Sequence, residues 1–157
     1  MRCTIINQVS ALLLVSEDPE KLAKFYTRAF GLKFKTEHHD DMDVHYGAFI
    51  GSVHIGIHPP ANFPEGTETG KGGVKVAFDT LDFDYLVEHL RTEGIPLLYE
   101  PVKNAWSVMT ALRDPDGNFI ELLQPCNEIL KAAATRGRST SSKIESYIAE
   151  GGGFGYG

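Results

Sequence analysis

Apolar and polar positions follow two rhythms along this chain, and the rhythms succeed one another in the same order twice. Residues 9–15 form a short apolar run that stops at Ser16-Glu17-Asp18-Pro19, which reads as a buried strand followed by a helix start. Leu22, Phe25, Tyr26, Ala29 and Phe30 then recur at spacings of three and four, placing them on one helix face. Asp18 stands at the N-cap, Pro19 at the first helical position, and Gly31 where a left-handed residue ends a helix. Three strands are expected next, at 33–37, 44–50 and 53–58, with Gly51-Ser52 as the hairpin turn between the last two.

The order then repeats. A strand is expected at 74–78, and Asp82 is set to cap a helix carrying Tyr85, Leu86, His89 and Leu90, with Gly94 at its end. Strands at 96–100, 107–112 and 119–123 follow, the last two joined by the turn Asp114-Pro115-Asp116-Gly117. Ala11 precedes cap Asp18 by the same interval that separates Lys75 from cap Asp82, a shift of 64 in both cases. Carried to the last strand of each module, a shift of about that size pairs Gly56 with Glu121. Such repeats are single supersecondary units that close a core by pairing. The expected class is therefore α+β, with two paired βαβββ modules in one domain over 1–126, module one at about 5–60 and module two at about 73–126. Residues 127–157, ending in GGGFGYG, are expected to be a partly disordered appendage.

Composition narrows the function. A length of 157 residues with 42% apolar content is enough for one real core. Fifteen Lys and Arg against 21 Asp and Glu give a net charge of −6, which argues against a nucleic-acid partner. No run approaches the ~20 apolar residues of a membrane span. The 9–15 run lacks a following small-residue cleavage site, so no signal peptide is expected. Two cysteines, Cys3 and Cys126, exclude a disulfide scaffold and a four-thiolate zinc site, and a cytoplasmic setting is expected.

Three stretches carry a family resemblance: Ser16-Glu17-Asp18-Pro19-Glu20-Lys21-Leu22 with Phe25-Tyr26 and Gly31-Leu32; Val76-Ala77-Phe78 with Asp82 and Gly94; and Arg113-Asp114-Pro115-Asp116-Gly117-Asn118-Phe119-Ile120-Glu121-Leu122. Together they resemble the vicinal oxygen chelate superfamily, which includes glyoxalase I, fosfomycin-resistance transferases, extradiol dioxygenases and bleomycin-binding proteins. The resemblance implies a curved mixed sheet around a cleft, a small-molecule ligand and a homodimer. It also implies a divalent metal held by His or Glu from the first and last strand of each module. Those four positions fall on Ala11, Gly56, Lys75 and Glu121. Only Glu121 keeps the usual ligand, and a metal needs three or more, so no cofactor is expected.

The six histidines are His38, His39, His45, His54, His58 and His89. His54 and His58 share a strand face with Gly56 but lie ~13 Å apart along it, too far to ligate one ion together. They are expected to line a ligand pocket, with Tyr46, Tyr99 and Trp106 as further ligand-binding groups. His38 and His39 sit in an acidic turn expected to be solvated, and His45 can lie on either face. Lys75 and Glu121 are expected to form the reactive pair, with the ammonium in place of the missing cation. The leading expectation is a metal-independent small-molecule-binding protein. The alternative is a metal-dependent lyase, transferase or ring-cleaving oxygenase that uses Glu121.

Overall fold

The computed structural model describes residues 8–39, 43–67, 69, 72–104 and 107–126. The expected appendage at 127–157 and Trp106 lie outside them. The chain divides into two compact units, Met1–Lys75 with Arg113–Phe119, and Val76–Leu112 with Ile120–Gly157. No helix among the described residues is long and apolar enough to cross a membrane.

The first unit carries strand β1 (Ala11–Val15), helix α1 (Pro19–Phe30), and strands β2 (Lys35–Glu37), β3 (His45–Ile50) and β4 (Val53–His58). Its sheet runs in the order β1-β4-β3-β2, with β1 parallel to β4 and the other pairs antiparallel. The Asp18 carboxylate accepts from Lys21 N–H at 3.0 Å and so satisfies one of the free amides at the helix start. Gly31 takes a left-handed φ of 68° and returns its N–H to the Thr27 carbonyl, closing the helix. Leu22, Ala23, Tyr26 and Ala29 of α1 are buried, as are Leu14, Ala48, Ile55 and Ile57 on one face of the sheet. Burial of each leucine or isoleucine among them contributes about 1.5–3 kcal/mol, so the helix side of the sheet stabilises this unit.

The turn Arg113–Phe119 belongs to this first unit. Asp114 is buried and organises the turn. Its Oδ1 accepts from the Asp116 and Asn118 amides at 3.0 and 2.9 Å, and its Oδ2 accepts from Asn118 Nδ2 at 2.9 Å and from Tyr26 Oη at 3.0 Å. Asn118 Oδ1 in turn accepts from Val74 N–H. Burial, and then the Asp114 charge, push the Tyr26 phenol far above its ordinary range, so it remains a donor to that carboxylate.

The second unit contributes strand β5 (Lys75–Asp79), helix α2 (Phe83–Thr92), and strands β6 (Val102–Lys103), β7 (Ser107–Arg113) and β8 (Phe119–Pro125), except for the end residues Lys75, Arg113 and Phe119, which lie in the first unit. The sheet order is β5-β8-β7-β6, so the two sheets repeat one topology, as the matched caps imply. Asp82 caps α2 by accepting from Tyr85 N–H at 3.0 Å. Gln124 Oε1 accepts from Phe83 N–H at 2.7 Å and ties the helix start to β8. Phe83, Val87 and Leu90 pack in a core with Ile95, Leu112, Ile120 and Leu122.

One expected strand does not form. The segment 96–100 is irregular, and the second strand of this module is the two-residue β6 further on. Pro96 and Pro101 have no N–H to give a ladder. The segment is held by single bonds instead, from Leu98 N–H to the Ala111 carbonyl at 2.7 Å and from Thr110 Oγ1 to the Tyr99 carbonyl at 2.6 Å.

Removing the Tyr26 hydroxyl leaves a buried carboxylate one donor short. Tyr26→Phe should therefore lower unfolding free energy by about 2 kcal/mol, the usual size for a hydrogen bond to a charged group. Tyr85→Phe, at a position 71% exposed, should stay within about 0.5 kcal/mol of the parent. Urea denaturation of both variants checks this.

Candidate functional site

The face of the first sheet that points away from the buried side chains is built quite differently. Strand pairing sets its residues side by side. Ala11 and Leu13 of β1 stand beside His54 and Gly56 of β4, and Val15 beside His58. Phe49 and Gly47 of β3 stand beside His54 and Gly56 from the other side. Lys35 and Glu37 of β2 stand beside Gly47 and His45. Side chains alternate in facing along each strand, so all of these share one surface.

A carboxylate and several imidazoles gather there. Glu37 Oε2 lies 3.3 Å from His45 Nε2 and 3.9 Å from His39 Nε2, while Oε1 lies 3.7 Å from His54 Nε2. The His45 ring is 2% exposed and stacks on the His58 ring, with centroids 4.1 Å apart and planes 15° apart. Its Nδ1 lies 3.3 Å from the Asp43 carbonyl, and Asp43 is held by Asn62, which also reaches His58 Nδ1 at 3.4 Å. Among the described residues, ligand atoms of Glu37, His39 and His45 fall within 4.8 Å of one another.

Two glycines make the gathering possible. Gly47 and Gly56 are opposite each other in the β3–β4 ladder. A Cβ on Gly47 would overlap Glu37 Oε1 and lie 2.6 Å from His54 Nε2. A Cβ on Gly56 would lie 2.8 Å from His58 Nε2 and 2.9 Å from Leu13 Cδ2. The space of two missing side chains is filled by the tips of Glu37, His54 and His58. Beside the cluster runs a groove of about 540 Å³ whose lining includes Leu32, Lys33, Lys35, Glu37, Gly47 and Phe49.

Residues 5–122 match the model of the Glyoxalase/Bleomycin resistance protein/Dioxygenase superfamily. The chain belongs to that superfamily. It is 30% identical over 114 residues to a lactoylglutathione lyase of Arabidopsis thaliana, a match covering 68% of this chain and 40% of that protein. The chain thus spans well under half the length of that curated relative. Among solved structures, the virulence protein STM3117 from Salmonella typhimurium superposes with a TM-score of 0.65 at 24% identity, covering 77% of this chain and 98% of that one. TnmS3, an antibiotic binding protein from Streptomyces sp. CB03234, gives 0.65 at 21% identity, with 78% and 99% covered.

The superfamily's metal positions can now be tested against the side chains. Ala11 and Gly56 carry no donor atom. The residues present therefore do not fit the superfamily's metal site. Lys75 is exposed at the start of β5. Glu121 is half-buried in β8, and burial pushes its carboxyl above the ordinary carboxylate range. Tyr99 of the same unit is raised too, by burial and then by the Glu121 charge. His54 and His58 share the polar face, as the alternation in β4 requires. Tyr46 belongs to the opposite face, which it shares with its ladder partner Ile57.

The sequence pattern by itself does not single out Glu37, His39 and His45 as site residues. The signal for His45 was present in the Gly51-Ser52 hairpin, which sets Ile50 against Val53 and so carries His45 toward His58. The signal for Glu37 was weaker, because a turn of uncertain register separates β2 from β3.

His58 carries a pH dependence. Burial, then the neighbouring His45 and His54, push its imidazole below the ordinary histidine value of 6.5. The unfolded chain thus takes up this proton at higher pH than the folded one. The stabilising share of neutral His58 is full above 6.5 and is lost as pH falls through the folded value. NMR titration of the chelated protein, with His58→Gln for assignment, should show the His58 imidazole titrating below the ordinary histidine value of 6.5.

Proposed function

We propose that this chain is a small-molecule-binding protein that holds its ligand against the open face of the first sheet, without a metal at the superfamily's positions. The groove beside Glu37 carries this reading. Phe49 is 67% exposed on that face and Leu13 46% exposed, an apolar cost that a ligand would offset. Lys33, Lys35, Glu37 and His54 surround them with a small set of polar groups. Exposed apolar surface rimmed by polar side chains is the usual composition of a recognition site. The likeness in fold to TnmS3, an antibiotic binding protein, supports the same choice.

A second reading rests on one residue, Glu121, half-buried in β8 at the one superfamily ligand position that keeps a carboxylate. In that reading the chain is a metal-dependent lyase or ring-cleaving dioxygenase acting through Glu121.

A thermal-shift screen with antibiotics and 2-oxoaldehydes separates the two. A ligand at a hundred times its Kd stabilises the native state by about 2.7 kcal/mol. The binding reading expects a saturable rise in Tm that Phe49→Ala and Lys35→Ala each reduce, with Glu121→Gln unchanged. Formation of lactoylglutathione by the metal-supplemented protein, abolished by Glu121→Gln, would establish the second reading instead.

A further inference from the structure

We propose that the open face of the first sheet binds a divalent transition-metal ion of the zinc class through Glu37, His39 and His45, with His54 on the second carboxylate oxygen. This site is separate from the superfamily's positions and does not depend on whether the neighbouring groove holds an organic ligand.

The distances support a nearly formed site. Ligand atoms around a tetrahedral zinc with ~2.0–2.1 Å bonds stand ~3.3–3.4 Å apart. Glu37 Oε2 is 3.3 Å from His45 Nε2 and 3.9 Å from His39 Nε2. Small rotations of Glu37 and the exposed His39 would close the difference. Two imidazoles and a carboxylate suit Zn²⁺ and its neighbours in the first transition row.

The protonation chemistry of His45 points the same way. A carbonyl oxygen can only accept, so the contact with Asp43 requires the proton on Nδ1. Nε2 is then the ring nitrogen turned to the Glu37 carboxylate, 3.3 Å away, the side a metal would take. A ring nitrogen fixed by a backbone carbonyl, with the other turned to an anionic ligand, is the usual support of a metal-bound histidine. Gly47 adds an independent constraint. Its missing Cβ is the opening through which Glu37 and His54 meet, and any side chain there would drive their tips apart.

Calorimetric titration of the full chain with ZnCl₂, after chelation and dialysis, tests this directly. One Zn²⁺ per chain is expected. Glu37→Gln and His39→Ala should each weaken binding by about 10-fold or more, as losses around a metal site do. Gly47→Ala should weaken it similarly while keeping the fold, because the atoms it displaces are flexible side-chain ends. Glu121→Gln should bind as the parent does. His39 is 64% exposed, so its variant tests ligation without disturbing the core, and metal-free melting curves confirm folding. Absence of saturable binding would overturn the proposal, as would unaltered affinity in either Glu37→Gln or His39→Ala, or loss of binding in Glu121→Gln. In any of those cases the cluster is a set of His–Glu ion pairs only.

Discussion

The open face of the first sheet depends on two glycines that oppose each other across β3 and β4. Gly47 and Gly56 are ladder partners, and the volume a Cβ would need at each is taken by a polar side chain from a neighbouring position. A strand interior usually disfavours glycine, since it forfeits packing and costs conformational entropy. Here the bare backbone lets Glu37 cross from β2 and lets His54 and His58 fold inward along β4. Without that depression, one carboxylate could not reach three imidazoles on three different segments.

The rest of the unit holds the depression in place. On the other side of the same strands, Leu14, Ala48, Ile55 and Ile57 are buried with the apolar stripe of α1. Alternation lets one strand serve both purposes, since each apolar residue facing the helix is followed by one facing away. Tyr26 joins that stripe to the Asp114 turn. The stabilising contacts are thus on one face and the chemistry on the other, which leaves the polar face free to diverge. That divergence is visible at Ala11 and Gly56, where the superfamily's ligands are absent, while Glu121 in the second module persists.

Much of this fold was legible in the sequence, and the reasons are local. Asp18, Asp82, Gly31 and Gly94 mark helix ends through caps whose chemistry needs no tertiary context. The hairpin at Gly51-Ser52 likewise states its own register. The strand expected at 96–100 is missing for an equally local reason, because Pro96 at its start and Pro101 just past its end have no N–H for a ladder. The histidine cluster was harder to see. The acidic turn at 38–44 is too long to fix how β2 meets β3, so nothing in the sequence placed Glu37 opposite His45. The local sign of the cluster is the pair Gly47 and Gly56, because glycine inside two strands marks a close approach.

The most direct measurement is a crystal structure of the protein grown with Zn²⁺ and recorded across the zinc absorption edge. An anomalous peak bonded to a Glu37 carboxylate oxygen and to the Nε2 atoms of His39 and His45, at the ~2.0–2.2 Å expected of zinc, is the predicted result. A peak on Glu121 with none at Glu37, or no ordered zinc on the open face of the first sheet, would contradict it.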